Sequence, residues 1–450
     1  MLVVYIILIL IIVAFLIYFA YAFSRINKHT YDIAQPLDVT SIPIFGQRDA
    51  FGREKVAIPH TLGDYTHIYG INPDFFDITS GGGSIQYLQH QAASELKIDD
   101  GLSGEAIHQT KRYHHYMPGK SQFILSSFVF GESNSGTSKS TGYFDNRNGI
   151  FFHQNEQGDL SFILRSYTTG TAEERIIERA NWNGDKADGS GKTGFNLDIT
   201  KTQLLFIDFQ WLGVGKVNCG FINKNDYILC HTFYNSNILD KVFMSSGNLP
   251  LRCQIARDQA LAGGVSMTQI CSTVISEGGY VEAGRDWSIG TSVANSISNN
   301  NETGILAIKL KDSFGTYNDP NHMTIRLGNA NTLSSGEDII YYIKKVSYGS
   351  SLAATWTDIN EESGAQFTTS FSIPTDNIFT LETGYAAGNS QGNKNFANSG
   401  GNLPPVSAKQ NYIVQNFNSD DSEAYILTAK RLDGSGTANV SASMQWREIY

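Results

Sequence analysis

The sequence has little charge for its length, and the charge that it has is mostly negative. Only 17 % of the 450 residues are charged, and the formal net charge at pH 7 is −10. An acidic chain without an arginine-rich stripe repels the phosphate backbone of nucleic acids. We therefore expect no nucleic-acid partner.

Cysteine is scarce as well. The chain has four cysteines, Cys219, Cys230, Cys253 and Cys271. Their spacings fit neither a zinc site nor a CxxC redox pair. Free, buried thiols in a reducing compartment are therefore the expected state. We expect neither a metal ion nor another cofactor.

The sequence also lacks the motifs of metal-dependent enzymes. There is no HExxH motif. The adjacent His114 and His115 would face opposite sides of a strand, so they could not share one metal ion. Residues 145–148, DNRN, lack the acidic pattern of a calcium loop and favour a turn. We expect that the chain is not an enzyme.

The N-terminus carries a long apolar run. Residues 2–23 contain no charged side chain and match the roughly 20 apolar residues that a helix needs to cross a bilayer core. A cleaved signal peptide is disfavoured, because no basic region precedes the run and no small-residue cleavage site follows it. Arg25 and Lys28 follow, which places the body on the cytoplasmic face. We predict a transmembrane anchor at 1–24, with the lipid bilayer as the partner of residues 2–23, and a polar tether at 25–48.

Aromatic residues and glycine are abundant, with 26 Phe, 22 Tyr and 43 Gly, whereas few segments show a helical period. Short β-prone runs separated by turn-rich segments are typical of a β-sandwich. We predict an all-β fold with two β-sandwich domains, jelly-roll or lectin-like, at 49–284 and 285–450. The strands predicted in the first domain are 121–130, 149–153, 160–167, 203–211, 216–222, 226–233, 251–256 and 267–276.

Two segments between these strands receive a different prediction. GESNSGTSKSTG, at 131–142, is rich in turn residues that do not easily continue a strand. TAEERIIERAN, at 171–181, has the spacing of a short helix, although a helix of this length is marginal without tertiary packing. We predict a turn region for the first segment and a helix for the second.

The stretch FIDFQWLGVGKVNCGFI has a glycine-spaced middle that resembles a dinucleotide-binding loop. Apolar residues alternate on both sides of this middle, with Ile207, Phe209 and Trp211 on one face. A dinucleotide fingerprint also needs a third glycine and a helix after it, and both are missing. We predict a hairpin in which Gly213 or Gly215 takes a positive φ, and we assign Trp211 to the core.

The stretch GSGKTG, at 189–194, resembles the end of a phosphate-binding loop. That motif needs an earlier glycine at the position that Lys186 occupies. The residues that follow, FNLDIT, favour an extended segment rather than a helix. We expect no nucleotide site here, and we expect Lys192 to be a solvated loop charge.

Four longer segments occur in a fixed order along the chain. They are DAFGREKVAIPHTLGDYTHIYGINPDFF (49–76), QTKRYHHYMPGKSQFIL (109–125), GYFDNRNGIFFHQ (142–154) and LDITKTQLLFIDFQWLGVGKVNCGF (197–221). They resemble a set that recurs in predicted virion structural proteins of marine tailed phages and of large double-stranded DNA viruses of algae and other protists. NLPLRCQI near Asn248 and the closing MQWREIY fit the same pattern. The resemblance covers nearly everything from Asp49 onward, and it implies a β-sandwich particle protein without known catalysis.

The predicted anchor departs from that pattern, because phage particle proteins of this kind do not need one. Together, the anchor and the resemblance imply a virus with an internal lipid membrane. We expect a membrane-anchored virion structural protein, a minor capsid protein that links the internal membrane to the capsid shell. Its partners would be other capsid proteins. Its localisation would be the virion, as a single-pass membrane protein with the C-terminal body on the cytoplasmic, capsid-facing side.

A second hypothesis is a lectin-like receptor-binding or glycan-binding protein on the virion surface. Aromatic side chains on sandwich faces often contact sugars, and Trp182, Tyr113 and Tyr116 are the candidate contacts to a glycan or a partner. Trp182, in the loop sequence NWNGD, is expected to be exposed. A third hypothesis is a host-type membrane protein with a cytoplasmic adaptor domain, whose partner would cover an exposed apolar patch.

Overall fold

The computed structural model describes residues 48–224, 226–281, 283–315, 322–348, 352–388, 390–395, 412–416, 422–432 and 435–449. The chain divides into two units, Met1–Arg48 and Asp49–Tyr450. The predicted anchor and nearly all of the predicted tether lie outside the described residues. Within the described ranges, no helix is both long and apolar enough to cross a membrane.

The first half of the unit Asp49–Tyr450 folds into two antiparallel sheets. Its strands are β1 (His60–Thr66), β2 (Phe75–Gly81), β3 (Gly83–Leu88), β4 (Ala93–Ile98), β5 (Gly104–Thr110), β6 (Gln122–Val129), β7 (Thr137–Phe144), β8 (Gly149–Gln154), β9 (Leu160–Ser166), β10 (Glu173–Glu178), β11 (Gln203–Phe209), β12 (Val217–Asn223), β13 (Asp226–Phe233), β14 (Leu251–Arg257) and β15 (Val265–Ser276). An eight-stranded sheet has the order β13-β12-β11-β6-β15-β4-β3, with β1 paired to β15. A seven-stranded sheet has the order β10-β9-β8-β7-β14-β5-β2.

These two sheets enclose an aromatic core. Strands such as β6 and β15 alternate between buried and less buried residues, because successive side chains of a strand face opposite sides. The ring centroid of Phe152 lies 6.0 Å from that of Phe128 and 5.5 Å from that of Phe162. Burying one such side chain stabilises the fold by roughly 1.5 to 3 kcal/mol. The core therefore holds the two sheets together.

The second half forms another pair of antiparallel sheets. Its strands are β16 (Arg285–Gly290), β17 (Asn295–Ile297), β18 (Thr303–Leu310), β19 (Thr324–Ser335), β20 (Ile339–Val346), β21 (Thr357–Asp358), β22 (Ala365–Thr368), β23 (Ile378–Ala386), β24 (Ser390–Asn395), β25 (Tyr412–Ile413), β26 (Ala424–Arg431) and β27 (Ala438–Ile449). One sheet has the order β16-β27-β19-β24, with β17 paired to β27 and β25 to β19; the other has the order β21-β22-β18-β26-β20-β23. Among the described strands, no sheet mixes the two halves.

The two halves contact each other through a buried carboxylate and several rings. Glu423 is 0 % exposed, and one of its oxygens lies 2.9 Å from Lys345 Nζ while the other lies 4.0 Å from Lys111 Nζ. Burial raises the pKa of Glu423, and the two lysines oppose that rise. The ring of Tyr348 lies 4.4 Å from that of Phe76 in the first half. A buried carboxylate held by two cations is costly to separate, so we expect the halves to stay in contact.

The all-β prediction is confirmed. The eight strands predicted in the first half correspond to β6, β8, β9, β11, β12, β13, β14 and β15. The predicted hairpin is the antiparallel pair β11 and β12, and Gly213 takes the positive φ, at 75°. The predicted free state of the cysteines is confirmed. Their predicted burial is confirmed for three of them and is wrong for Cys271, which is exposed.

Two local predictions are wrong. The segment predicted as a helix is the edge strand β10 followed by a short 3₁₀ helix at Arg179–Asn181. All six residues of β10 pair with β9, and this pairing outweighs a marginal helical preference. The second half of the predicted turn region, TSKSTG, is not a turn. It forms most of β7, which begins at Thr137 and pairs with both β8 and β14.

Candidate functional site

The seven-stranded sheet turns one face towards the core and the other away from the eight-stranded sheet. Cross-strand partners share a face, so the pairs Gln254 with Ser140, Ser140 with His153, and His153 with Ser161 form one line across β14, β7, β8 and β9 on the outer face. Glu105 on β5 is a diagonal neighbour of Gln254 rather than its direct partner. Its Oε1 accepts a hydrogen bond from Gln254 Nε2 at 2.6 Å. We name these five residues the polar row.

The polar row is held in place by its own hydrogen bonds. His153 Nδ1 lies 2.9 Å from Ser140 Oγ. Burial lowers the pKa of His153 to about 4, while the Glu174 carboxylate raises it and Arg165 lowers it. The imidazole is therefore neutral at physiological pH and can both donate and accept a hydrogen bond. Glu105, Gln254 and His153 are half-buried, so part of each side chain stays accessible to a ligand.

An apolar cluster lies beside the polar row on the same face. It consists of Phe144, Phe151 and Ile163, which are at most 2 % exposed. Arg165 covers the cluster, with its guanidinium carbon 5.0 Å from the Phe151 ring centroid. The same guanidinium donates two hydrogen bonds to Glu174 Oε1, at 2.9 and 2.7 Å. The face therefore combines a buried apolar cluster with accessible hydrogen-bonding groups.

The carboxylates of this face do not form a glycosidase pair. Such enzymes need two carboxyl groups roughly 5 to 9.5 Å apart. Glu105 lies on β5, and Glu174 and Glu178 lie on β10, which is five strand positions away in the sheet. Five steps of about 4.8 Å separate these strands by roughly 24 Å. Along β10, the four-residue interval between Glu174 and Glu178 spans about 13 Å, which is also too long.

Trp182 is not exposed, so that prediction is wrong. The side chain is 3 % exposed, its ring centroid lies 4.7 Å from that of Phe162, and its Nε1 donates to the Ile177 carbonyl at 3.0 Å. The chain after it is tied to β13, because Gly184 N donates to the Cys230 carbonyl at 2.8 Å. This connection brings the indole between the sheets at the edge of the core.

Tyr113 and Tyr116 are also buried, at 7 and 3 % exposure. The Tyr113 ring stacks on His322 of the second half with centroids 3.9 Å apart. The Tyr116 hydroxyl accepts a hydrogen bond from the backbone N–H of Trp211 at 2.9 Å. Burial raises the pKa of both phenols. Tyr113 therefore serves the contact between the halves and Tyr116 serves the core, and neither offers an open ring to a sugar.

Trp211 packs against the core of the first half, as predicted. Its Nε1 donates to the Met244 carbonyl at 3.0 Å, which satisfies the indole N–H in a half-buried position. Ile207 and Phe209, on the same face of β11, are 0 % exposed. The alternation of apolar residues in the sequence was sufficient to place all three.

The GSGKTG stretch forms a loop around a carboxylate. Asp185 Oδ2 accepts hydrogen bonds from the backbone N–H and the hydroxyl of Thr193, at 3.2 and 2.6 Å, and its Oδ1 accepts one from Ala187 N at 2.8 Å. A bound phosphate needs such donors for itself, and the Asp185 charge repels it. Lys192 is exposed. These contacts agree with the absence of a nucleotide site.

Residues of the types found in catalytic triads form a row on the inner face of the seven-stranded sheet. Cross-strand pairs place Asp77, His108, Cys253 and Thr141 side by side. Asp77 Oδ1 lies 2.5 Å from His108 Nδ1. Burial, however, raises the pKa of the Cys253 thiol to about 12, and only a thiolate is a strong nucleophile. We assign His108, Cys253 and Thr141 to the core, whereas Asp77 is exposed on the edge strand β2.

One further stretch matches a hydrolase pattern in letters only. GNSQG, at 388–392, has the GxSxG form. A nucleophile elbow needs a strand-to-helix turn at the serine. Here Ser390 begins β24, which pairs with β19 along its length. The backbone at this position is therefore unsuited to that chemistry.

The polar row has only a weak signal in the sequence. Gln254 and His153 are polar residues inside the apolar runs LRCQIAR and GIFFHQ. Such alternation predicts an outward face, but it does not show which strands are neighbours. Five residues from five strands become one line only through the sheet order.

Comparisons with known proteins give fold resemblances alone. No family model matches the chain, and no curated protein matches it. The GH16 protein of a Bacteroides ovatus mixed linkage glucan PUL is 9 % identical, with a TM-score of 0.31 over 48 % of this chain and 99 % of that one. The legume lectin-like domain from Entamoeba histolytica is 12 % identical, with a TM-score of 0.28 over 47 % and 95 %. The CBM2 module of the evolved Dit of Lactobacillus casei phage J-1 is 7 % identical, with a TM-score of 0.33 over 50 % and 98 %.

Proposed function

We propose that the first half binds a glycan at the polar row on the outer face of the seven-stranded sheet. The observation that carries this proposal is a line of fixed, accessible hydrogen-bonding side chains on a regular sheet face. Glu105, Gln254 and His153 are half-buried, and hydrogen bonds to neighbouring side chains already orient them. Side chains that are ordered before binding lose little entropy when a ligand arrives.

The chemistry of the row suits sugar hydroxyls. A hydroxyl is both a donor and an acceptor, and so is a neutral imidazole such as that of His153. The Gln254 amide and the Glu105 carboxylate supply a donor and an acceptor beside each other. Because the accessible groups lie on the outside of a sheet and the three predicted aromatic contacts are buried, we expect modest affinity for one sugar and stronger binding for a repeated one.

A glycan array with the full chain in detergent tests the proposal. Gln254→Ala should reduce binding at least about tenfold, because losing a hydrogen-bonded group in a binding site costs about 1.5 kcal/mol or more. Gln86→Ala is the matched control, since Gln86 also hydrogen-bonds a glutamate, Glu95, but lies on β3 of the other sheet. Equal binding by the wild type, the variant and the control would remove the polar row as the site.

The membrane-anchored virion protein is the second candidate. It is supported by the uncharged apolar run at 2–23 and by the four segments that resemble, in the same order, segments of virion structural proteins. On this proposal the protein is a minor capsid protein whose body lies between the internal membrane and the shell. The two candidates differ in place: the first needs the body to meet a glycan outside, and the second keeps it inside the shell.

Mass spectrometry of purified particles separates the two candidates. Particles are treated stepwise with a protease that cannot pass an intact shell and then with detergent. Protein that resists the protease and leaves with the membrane fraction supports the capsid-to-membrane link. Protein removed from intact particles places the body outside. Absence from particles would remove both virion roles, while the glycan array would still test binding.

A further inference from the structure

Two adjacent loops at one end of the first half expose a group of large apolar side chains. The loops follow β11 and β13, and the exposed fractions lie between 38 and 65 %. The residues are Leu212, Val214, Tyr234, Ile238, Leu239 and Val242, which we name the apolar tip. Single exposed apolar residues are ordinary on protein surfaces, but a contiguous group marks an interaction surface.

Hydrogen bonds make the apolar tip one structure. Phe243 N donates to the Gly213 carbonyl at 2.9 Å. The buried Asn235 side chain donates to the Gly215 carbonyl at 2.5 Å and accepts from Arg175 Nη2 at 2.7 Å. The two loops are therefore fixed to each other, and they present their apolar side chains without a rearrangement.

One residue of the apolar tip has an unfavourable backbone conformation. Leu212 has φ at 36°, in the left-handed region that side chains other than glycine rarely adopt. The side chain is nevertheless 49 % exposed, so burial does not compensate for the conformation. Such residues concentrate where a loop has a function.

The chain outside the described body joins it at the same end. Residues 49–55, DAFGREK, form a short segment that we name the clasp. Ala50 N donates to Ser121 Oγ at 3.1 Å, and Ser121 Oγ donates to Asp208 Oδ1 at 2.7 Å. Asp208 is the residue before Phe209, where β11 ends and the loop of the apolar tip begins. The clasp, where the described body begins, is thus hydrogen-bonded to the end of the strand that leads into the apolar tip.

The loops of the apolar tip carry two lysines and one aspartate. Lys241 is exposed, Lys216 is half-exposed and Asp240 is exposed beside Lys241, while Arg53 of the clasp is ion-paired with Asp49. Val56 and Ile58, which follow the clasp, are 90 and 87 % exposed. Apolar side chains flanked by cations are the composition of surfaces that lie in a membrane interface.

We propose that the apolar tip inserts into the interface of a lipid bilayer, the same bilayer that residues 2–23 are predicted to cross. The proposal goes beyond glycan binding and rests on the predicted anchor. If residues 2–23 cross the bilayer, the predicted tether at 25–48 limits the distance of the body from it to at most about 3.5 Å per residue. Tethering raises the effective concentration of the apolar tip at the lipid surface, so a weakly inserting tip suffices.

Tryptophan quenching by brominated lipids tests the proposal on the full chain in vesicles. We expect Ile238→Trp, and Val214→Trp as a second variant, to be quenched at least about twofold more than Tyr69→Trp, because interfacial side chains lie about 5 to 10 Å inside the headgroup boundary. Tyr69 is 101 % exposed and follows the far end of β1, away from the clasp. Residues 1–47 contain no tryptophan, so the five native ones give the same background in each variant.

Each other outcome overturns the proposal in a distinct way. Equal quenching of the tip and control variants would show that the apolar tip stays in water. A blue-shifted but unquenched tryptophan at Ile238, with crosslinks between copies, would assign the surface to a second copy of the chain. If the protein fails to float with vesicles, the anchor prediction fails and this proposal with it. None of these outcomes alters the glycan-array result, which depends on Gln254.

Discussion

The two sheets of the first half treat their outer faces differently. On the eight-stranded sheet, Phe206 is 0 % and Phe123 is 4 % exposed although both point away from the core. On the seven-stranded sheet, Ile176 of β10 is 54 % exposed, and the polar row keeps three half-buried side chains. Outward-facing residues of the seven-stranded sheet are thus partly exposed, although the apolar cluster on the same face is buried.

The clasp covers part of the outer face of the eight-stranded sheet, at Phe123. Asp49 Oδ1 accepts from the backbone N–H groups of Phe51 and Arg53, at 3.0 and 2.9 Å, and Asp49 Oδ2 receives the Arg53 guanidinium. Lys55 Nζ lies 4.8 Å from the Phe123 ring centroid and 2.9 Å from Glu277 Oε1. Whether a sheet face is buried therefore depends on the segment that lies over it as well as on its own pattern.

The largest expected effect comes from truncating a buried side chain on the outer face of the eight-stranded sheet, which we name the covered face. The outer face of the seven-stranded sheet is the open face. Phe206→Ala should lower the free energy of unfolding by about 3 to 5 kcal/mol, because it removes a fully buried ring that contacts Tyr227 and Phe123. Ile176→Ala, on the open face, should change it by less than about 0.5 kcal/mol. Chemical denaturation measures both. Equal losses would mean that the two outer faces do not differ.

The second effect is a pH dependence specific to the covered face. Burial raises the pKa of Asp208 to about 7, and the hydrogen bond from Ser121 opposes that rise. The folded state then binds the proton more tightly than the unfolded chain, whose Asp pKa is about 3.9. Stability should therefore fall as pH rises from about 4 to 7, by up to about 4 kcal/mol, and level off above.

Asp208→Asn isolates this titration, since the amide keeps an acceptor for Ser121 without a charge. Unfolding free energies measured from pH 4 to 8 should give a flatter curve for the variant than for the wild type. Parallel curves would contradict the assignment of this pH dependence to Asp208.

The third effect comes from opening the clasp itself. Asp49→Ala removes the acceptor of two backbone N–H groups and one guanidinium, which should cost about 1 to 3 kcal/mol. Limited proteolysis should then cut residues 49–56 faster. The control is Asp99→Ala, which breaks an exposed pair with Lys97 and should cost less than about 1 kcal/mol. Unchanged proteolysis would show that other contacts hold the clasp.

The smallest effect on stability, and the largest on binding, is expected in the polar row. Gln254→Ala should change the free energy of unfolding by less than about 0.5 kcal/mol, because the half-buried side chain can be replaced by water. The same variant should lose glycan binding. If it unfolds the protein instead, the polar row is part of the scaffold, and the contrast between an open and a covered face disappears.

Alternating apolar residues in the sequence predicted the strands of the first core. The pattern in FIDFQWL placed Ile207 and Phe209 inside, and the glycine-containing turn after it identified β12 as the hairpin partner of β11. It failed at Trp182, where a polar loop sequence suggested exposure. It also failed at β10, where pairing with β9 converts a short helical pattern into an edge strand. Both errors arise where contacts distant in sequence decide the outcome.

The sequence by itself determined the all-β class, the hairpin of β11 and β12, and the free cysteines, because these depend on local alternation, turn residues and residue counts. Tertiary structure alone decided which faces are open. It buried Tyr113 against His322, laid the clasp over Phe123, and aligned Glu105, Gln254, Ser140, His153 and Ser161 from five strands. Local pattern sets which way a side chain points from its strand, whereas strand order and covering segments set what that side chain meets.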